Sequence, residues 1–260
     1  MRRLLLAVPL LLAVLAGTAS AEGDDDPLGY VVDREDLDEP EVIAEGRELY
    51  EVGCVSCHGP DGLGEDAPDI RDQGYAGAHY WITSGRMPAE DDGVAQSDRK
   101  DSPYSPGEIE ALVAYVGTLG DGPEIPEVDS EAGDLSEGGE LFRLNCAACH
   151  QAGLAGGALS YGRNAPTLQP VTAVQIAEVL ELGPGQMPVF DRLSDDEVDS
   201  LIAYIRELQD QDSPGGFSLG RVGPIPEGFV AIVVGTGALL LVTLWIASRR
   251  QRTHDGAVTG

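Results

Sequence analysis

All four cysteines of this chain lie in two copies of one five-residue word, Cys54-Val55-Ser56-Cys57-His58 and Cys146-Ala147-Ala148-Cys149-His150. Two thiols at that spacing can add across both vinyl groups of one porphyrin, and the adjoining His then presents its imidazole to the iron. The word is the attachment signature of a c-type haem, and two copies predict two covalently bound haems. Cys54, Cys57 and His58 would hold the first; Cys146, Cys149 and His150 would hold the second. The other readings of Cys-x-x-Cys fit less well. A zinc site would have to bring two distant words together, and a thioredoxin-type pair belongs beside a βαβ pattern that is not visible here. A structural disulfide leaves the paired His unexplained.

The sixth ligands follow from an equally short inventory, because the chain has three methionines and one is the initiator. Met87 stands in Gly85-Arg86-Met87-Pro88 and Met187 in Gly185-Gln186-Met187-Pro188. An isolated Met is ordinarily core filler. Here each lies downstream of its own haem word in a matching Gly-x-Met-Pro turn, which points to axial ligation of the iron. His/Met ligation raises the reduction potential and leaves no open coordination position, so both irons are expected to pass electrons rather than bind oxygen or peroxide. His79 stands as a competing ligand for the first haem, and otherwise as an ordinary loop or surface His.

The elements that must position these residues also repeat. Gly46, Leu49 and Tyr50 precede the first word as Gly138, Leu141 and Phe142 precede the second. Downstream, Ser105-Pro106-Gly107-Glu108 and Ser194-Asp195-Asp196-Glu197 share the Ser-x-x-Glu form of a capping box, with Pro106 suited to a first helical turn. Ile109, Leu112, Val113 and Val116 then match Val198, Leu201, Ile202 and Ile205, each set forming one apolar helix face. Each unit reads as helix, haem word, loop, Met turn, helix.

Each unit resembles a class I cytochrome c. The resemblance implies that Gly46 and Tyr50 on the first helix cross closely against Tyr115 on the last, and that Gly138 and Phe142 cross against Tyr204. It also implies a loop proline whose carbonyl accepts a hydrogen bond from the ligating imidazole, here Pro68 in Ala67-Pro68 and Pro166 in Ala165-Pro166. The expected fold is all-α, with two tandem class I cytochrome c domains and one C-terminal transmembrane helix.

The ends of the chain add an address. Met1-Arg2-Arg3, an apolar run from Leu4 to about Ala16 and then Ala19-Ser20-Ala21 read as an export signal over 1–21, with an uncleaved anchor as the alternative. Residues 22–40 form an acidic tether, 41–120 the first domain, 121–137 a linker, 138–210 the second domain and 211–228 a further linker. The polar stretch from Ala89 to Pro103 is an extra loop in the first domain without counterpart in the second. Phe229 to Ala247 is uncharged and long enough to span a bilayer as a helix. Arg249, Arg250 and Arg252 follow it in the tail 248–260, which the positive-inside rule places in the cytoplasm. Both haem domains would then lie outside the cell membrane. Acidic residues outnumber basic ones 45 to 16, nearly all of the latter Arg. An acidic face suits docking of a basic redox partner, or is simply a solvated surface. No basic stripe points to nucleic acid.

Several words go beyond generic haem signatures: Gly46-Arg47-Glu48-Leu49-Tyr50, Ser84-Gly85-Arg86-Met87-Pro88, Gly138-Gly139-Glu140-Leu141-Phe142-Arg143-Leu144-Asn145-Cys146, Gly183-Pro184-Gly185-Gln186-Met187-Pro188-Val189-Phe190 and Gly223-Pro224-Ile225-Pro226-Glu227-Gly228. On these the chain resembles the dihaem cytochrome c subunit of the actinobacterial cytochrome bc1 complex, a menaquinol–cytochrome c reductase, from about Ala44 to Arg250. Ala67-Pro68-Asp69-Ile70 departs from the Gly-Pro-Ser-Leu-like word expected there. The resemblance implies electron relay from the Rieske iron–sulfur protein, beside cytochrome b, to an aa3-type cytochrome c oxidase in a supercomplex. The alternatives are a membrane-anchored dihaem subunit of a dehydrogenase or cbb3-type oxidase, and a dihaem peroxidase. The peroxidase needs an iron that opens a position, which two Gly-x-Met-Pro turns argue against.

Overall fold

The computed structural model describes residues 28–64, 66–89, 97–211 and 224–257. The stretch read as an export signal, the start of the expected acidic tether, residues 90–96 of the extra loop, most of the linker before the last helix and the final three residues lie outside the described residues.

Two helix pairs organise the haem domains. In the first, α1 (Pro40–Gly53) crosses α4 (Pro106–Gly117); in the second, α5 (Leu135–Asn145) crosses α8 (Asp195–Asp210). Their starts are written in the sequence. Pro40 occupies the first turn of α1, and the Asp134 carboxylate accepts from the Ser136 and Glu137 N–H groups at the head of α5. The Ser105 and Ser194 N–H groups donate to Glu108 and Glu197 at 2.8 and 2.9 Å, which completes both capping boxes.

The crossings are close because glycine occupies each contact point. A Cβ placed on Gly46 would sit 1.8 Å from the Ala111 carbonyl oxygen, and one on Gly138 would sit 1.8 Å from that of Ser200. Backbone against backbone leaves no room for a methyl group. Beside each crossing an aromatic pair closes the core, Tyr50 with Tyr115 at 5.2 Å between ring centroids and Phe142 with Tyr204 at 5.7 Å.

Each domain adds a short helix between its haem word and its closing helix: α3 (Gly74–Thr83) and α7 (Ala173–Leu182). These two pack against each other and form the seam between the domains. One departure from an all-helical chain is a small antiparallel ladder, in which Gly157 and Ala158 pair with Ala165 and Asn164.

Residues 28–39, expected as part of an acidic tether, are anchored at Val32 and Leu37 while residues 33–36, 38 and 39 are exposed. Val32 and Leu37 are buried, the Val174 N–H donates to the Leu28 carbonyl, and the Tyr30 hydroxyl donates to the Pro126 carbonyl at 2.6 Å. Apolar Leu28, Val31, Val32 and Leu37 punctuate the acidic run and supply the burial that fixes it. The segment between the domains is likewise held, with Ile125 and Val128 buried and the Pro123 carbonyl accepting from Ala76.

The last helix, α9 (Pro224–Ala257), contains one stretch, Gly228–Ser248, long and apolar enough to cross a membrane, with a mean hydropathy of 2.5. Its 21 residues, at about 1.5 Å each, reach about 30 Å, the thickness of a hydrocarbon core. None of that window is buried against the rest of the described chain. A soluble core helix would be.

Candidate haem-binding sites

The two haem words fold alike. The first Cys ends the long helix, with the Cys54 N–H donating to Tyr50 and the Cys146 N–H to Phe142, both at 2.9 Å. The next four residues make one helical turn, α2 (Val55–His58) and α6 (Ala147–His150), which sets the His at the turn's end. There the chain reverses through Gly59 at φ 73° and Gln151 at φ 60°. A glycine takes that conformation without cost, whereas Gln151 holds a left-handed backbone that L-residues seldom adopt.

Each imidazole is aimed by a proline carbonyl. His58 Nδ1 lies 3.1 Å from the Pro68 oxygen and His150 Nδ1 lies 2.9 Å from that of Pro166. A carbonyl can only accept, so Nδ1 carries the proton and Nε2 keeps its lone pair for a metal. Burial holds the His150 pKa below the ordinary imidazole range, against the opposing hydrogen bond to Pro166. A neutral ring is the form that can ligate.

In the second domain one cavity gathers Cys146, Cys149, His150, Pro166 and Met187. Its walls are apolar, including Leu168, Ile176, Leu180, Phe190 and Leu201. In the first domain Met87 sits on the turn after α3, its N–H donating to the Trp81 carbonyl at 3.0 Å. The donor chemistry fits a covalently attached haem and disfavours its rivals. Burial pushes the Cys54 and Cys146 thiols up to about 11, which disfavours thiol-exchange chemistry through a thiolate. No cysteine is paired with another, and among the described residues no cluster of three His, Cys, Asp or Glu could hold a metal ion.

His79 differs from the sequence expectation. It is wholly buried on α3, neither a loop nor a surface residue, and its Nδ1 lies 2.6 Å from Oε1 of Glu178 on α7. Its Nε2 accepts from the Val31 N–H at 3.4 Å. With both ring nitrogens engaged, His79 has no lone pair for iron. Spacing did not flag Tyr80, Arg86 and Arg99 either, yet all three reach from the first domain into the second domain's cavity.

Residues 43–120 match the cytochrome c family, and residues 133–205 match the family described as cytochrome c oxidase, cbb3-type, subunit III. The cytochrome bc1 complex cytochrome c subunit of Mycobacterium tuberculosis is 37% identical over 261 residues, covering 95% of this chain and 92% of that protein. The chain belongs to the cytochrome bc1 complex cytochrome c subunit family. The corresponding protein of Corynebacterium efficiens is 37% identical over 235 residues, covering 82% of this chain and 78% of that protein. The cbb3-type cytochrome c oxidase subunit CcoP of an Azospirillum species is more distant, 27% identical over 192 residues and 64% of this chain. As a cytochrome c subunit of this family, the chain has two cytochrome c-type domains, binds haem c and carries one candidate membrane helix near its C-terminus.

Proposed function

We propose that this chain is the dihaem electron-transfer subunit of a menaquinol–cytochrome c reductase, built from tandem class I cytochrome c domains on a C-terminal anchor. Cys54, Cys57 and His58 with Met87, and Cys146, Cys149 and His150 with Met187, are the two attachment and ligand sets. A haem iron so held takes up and gives back one electron without an open position for substrate. The protein's part is geometric. Pro68 and Pro166 fix the imidazoles, the apolar walls exclude water, and the thioethers prevent loss of the group.

The observation that carries this reading is the likeness to bc1 complex cytochrome c subunits over 95% of the chain, spanning both haem words and the anchor. Within such a complex the domains would take electrons from the Rieske iron–sulfur protein, beside cytochrome b, and relay them to an aa3-type oxidase. Tethering the second haem replaces diffusion by a high effective concentration. Arg249, Arg250 and Arg252 after the span favour a cytoplasmic tail and extracytoplasmic haem domains. The cbb3-type match of residues 133–205 keeps a second reading, a dihaem oxidase or dehydrogenase subunit, in view. The cbb3-type relative has the lower identity and the shorter coverage.

Affinity purification from the native membrane through a tag after Gly260 tests the assignment. Cytochrome b and a Rieske protein should co-purify at constant ratio. Recovery of a dehydrogenase without cytochrome b would favour the second reading.

A further inference from the structure

The second domain's cavity is electropositive in a protein whose formal net charge is −29. No Asp or Glu lines it among the described residues, while two arginines do, and both come from the other domain. Arg86 is 4% exposed, its Nη1 donates to the Ser97 carbonyl, and its Nε is buried without a partner among the described residues. Arg99 donates through Nη2 to the side chain of Gln175, the residue that also donates to Thr83 across the seam. Among the described residues, both of these acceptors are neutral.

Two guanidinium groups gathered in a mostly apolar cavity repel each other and lose hydration, which is costly unless an anion compensates. Desolvation first, and the neighbouring Arg86 charge as well, hold the Arg99 pKa below the ordinary arginine value. Glu178 is not that anion, since it does not line the cavity and one of its oxygens is held by His79. Among the described residues no carboxylate lines the cavity, so the compensating anion is assigned to what fills it. On the reading given above this is a c-type haem, which carries two propionate carboxylates, and planar guanidinium groups suit carboxylates bidentately.

We propose that Arg86 and Arg99, both supplied by the first domain, bind the propionates of the haem seated in the second. The second haem site is thus completed by its neighbour, and loading it locks the two domains together. The two positive charges favour the reduced, less positive iron and raise that haem's potential relative to a site without them. Arg86 adjoins Met87, so the same contact runs from the first haem's ligand turn to the second haem's edge.

The inference rests on the dihaem assignment, and the test separates the two. A redox titration of the purified full chain in detergent should resolve two midpoints, the second haem's being the one that Met187→His moves. In Arg99→Gln that midpoint should fall while the other stays, and Arg99→Lys should retain most of the wild-type value. Arg86→Gln should lower the same midpoint. Loss of the second haem in Arg99→Gln but not in Arg99→Lys would equally support a charge contact. An unchanged second midpoint in both Gln variants, with two haems bound, overturns the proposal, as does a fall confined to the first midpoint. Absence of covalent haem from the wild-type chain would instead overturn the dihaem assignment.

Discussion

His79 and Glu178 meet across the seam between the two haem domains, Nδ1 to Oε1 at 2.6 Å, with neither side chain reaching solvent. The other carboxylate oxygen of Glu178 is buried without a partner among the described residues. A pair this deep is costly to break from one side, because the remaining group is left buried without its partner.

His79→Ala should therefore destabilise the chain by about 3 to 5 kcal/mol, the range found for removing one partner of a buried pair. Burial pushes the Glu178 carboxyl from 4.5 up to about 7, against the opposing pull of His79. A folded-state pKa above the unfolded one means that the folded chain holds the proton more tightly. The stability it contributes is complete below about 4.5 and is lost as pH rises through about 7. Glu178→Gln should lack this component. The difference in unfolding free energy, wild type minus variant, should decline across that window, and a flat difference would refute the assignment.

Gly138→Ala should be poorly tolerated, since its Cβ would meet the Ser200 carbonyl at 1.8 Å and only backbone movement could relieve it. Overpacking of this kind costs about 1 to 3 kcal/mol. Gly107 on α4 has nothing within 4 Å of an added Cβ, so Gly107→Ala should be neutral or stabilising by up to about 1 kcal/mol. Chemical unfolding of the two variants beside wild type checks the contrast. Equal effects would mean that the helix crossing does not depend on glycine.

Met187→His should lower one haem's potential and abolish its sulfur-to-iron absorption band, and Met87→His should do the same to the other haem. Replacing Cys146 and Cys149 by Ala should remove one of two covalent haems in a haemochrome assay. A spectrum untouched by Met87→His would require a different sixth ligand in the first domain, which His79 cannot supply while Glu178 and Val31 hold its ring.

Features that lie within one repeat were legible in the sequence. Cysteine spacing, the Met turns and the capping boxes are local, and the Gly46 and Gly138 crossings and the Pro68 and Pro166 carbonyls followed from the resemblance they carry. The seam was not legible, because its pairs join positions far apart: His79 with Glu178, Thr83 with Gln175, Arg99 with Gln175. No periodicity relates such residues. Two signals did exist. Gly74-Tyr75-Ala76-Gly77-Ala78-His79-Tyr80-Trp81-Ile82-Thr83 is too apolar for a surface loop, and Thr172-Ala173-Val174-Gln175 is a capping box of the Thr-x-x-Gln form ahead of an apolar run. Together they place two buried helices between haem word and Met turn. The anchoring of residues 28–39 was masked by acidic neighbours, which set the average composition while Val32 and Leu37 decide the packing.

The most direct test of the electron-transfer assignment is reduction by menaquinol of the native complex containing this chain, followed in the c-type haem absorption. Both haems should become reduced, and an inhibitor at the quinol-oxidation site or removal of the Rieske cluster should stop both. Cys146→Ala should block quinol-driven oxygen uptake through the aa3-type oxidase while the first haem remains reducible. Reduction that persists under the inhibitor, or normal flux in the Cys146→Ala strain, would contradict a role in relaying electrons from the Rieske centre.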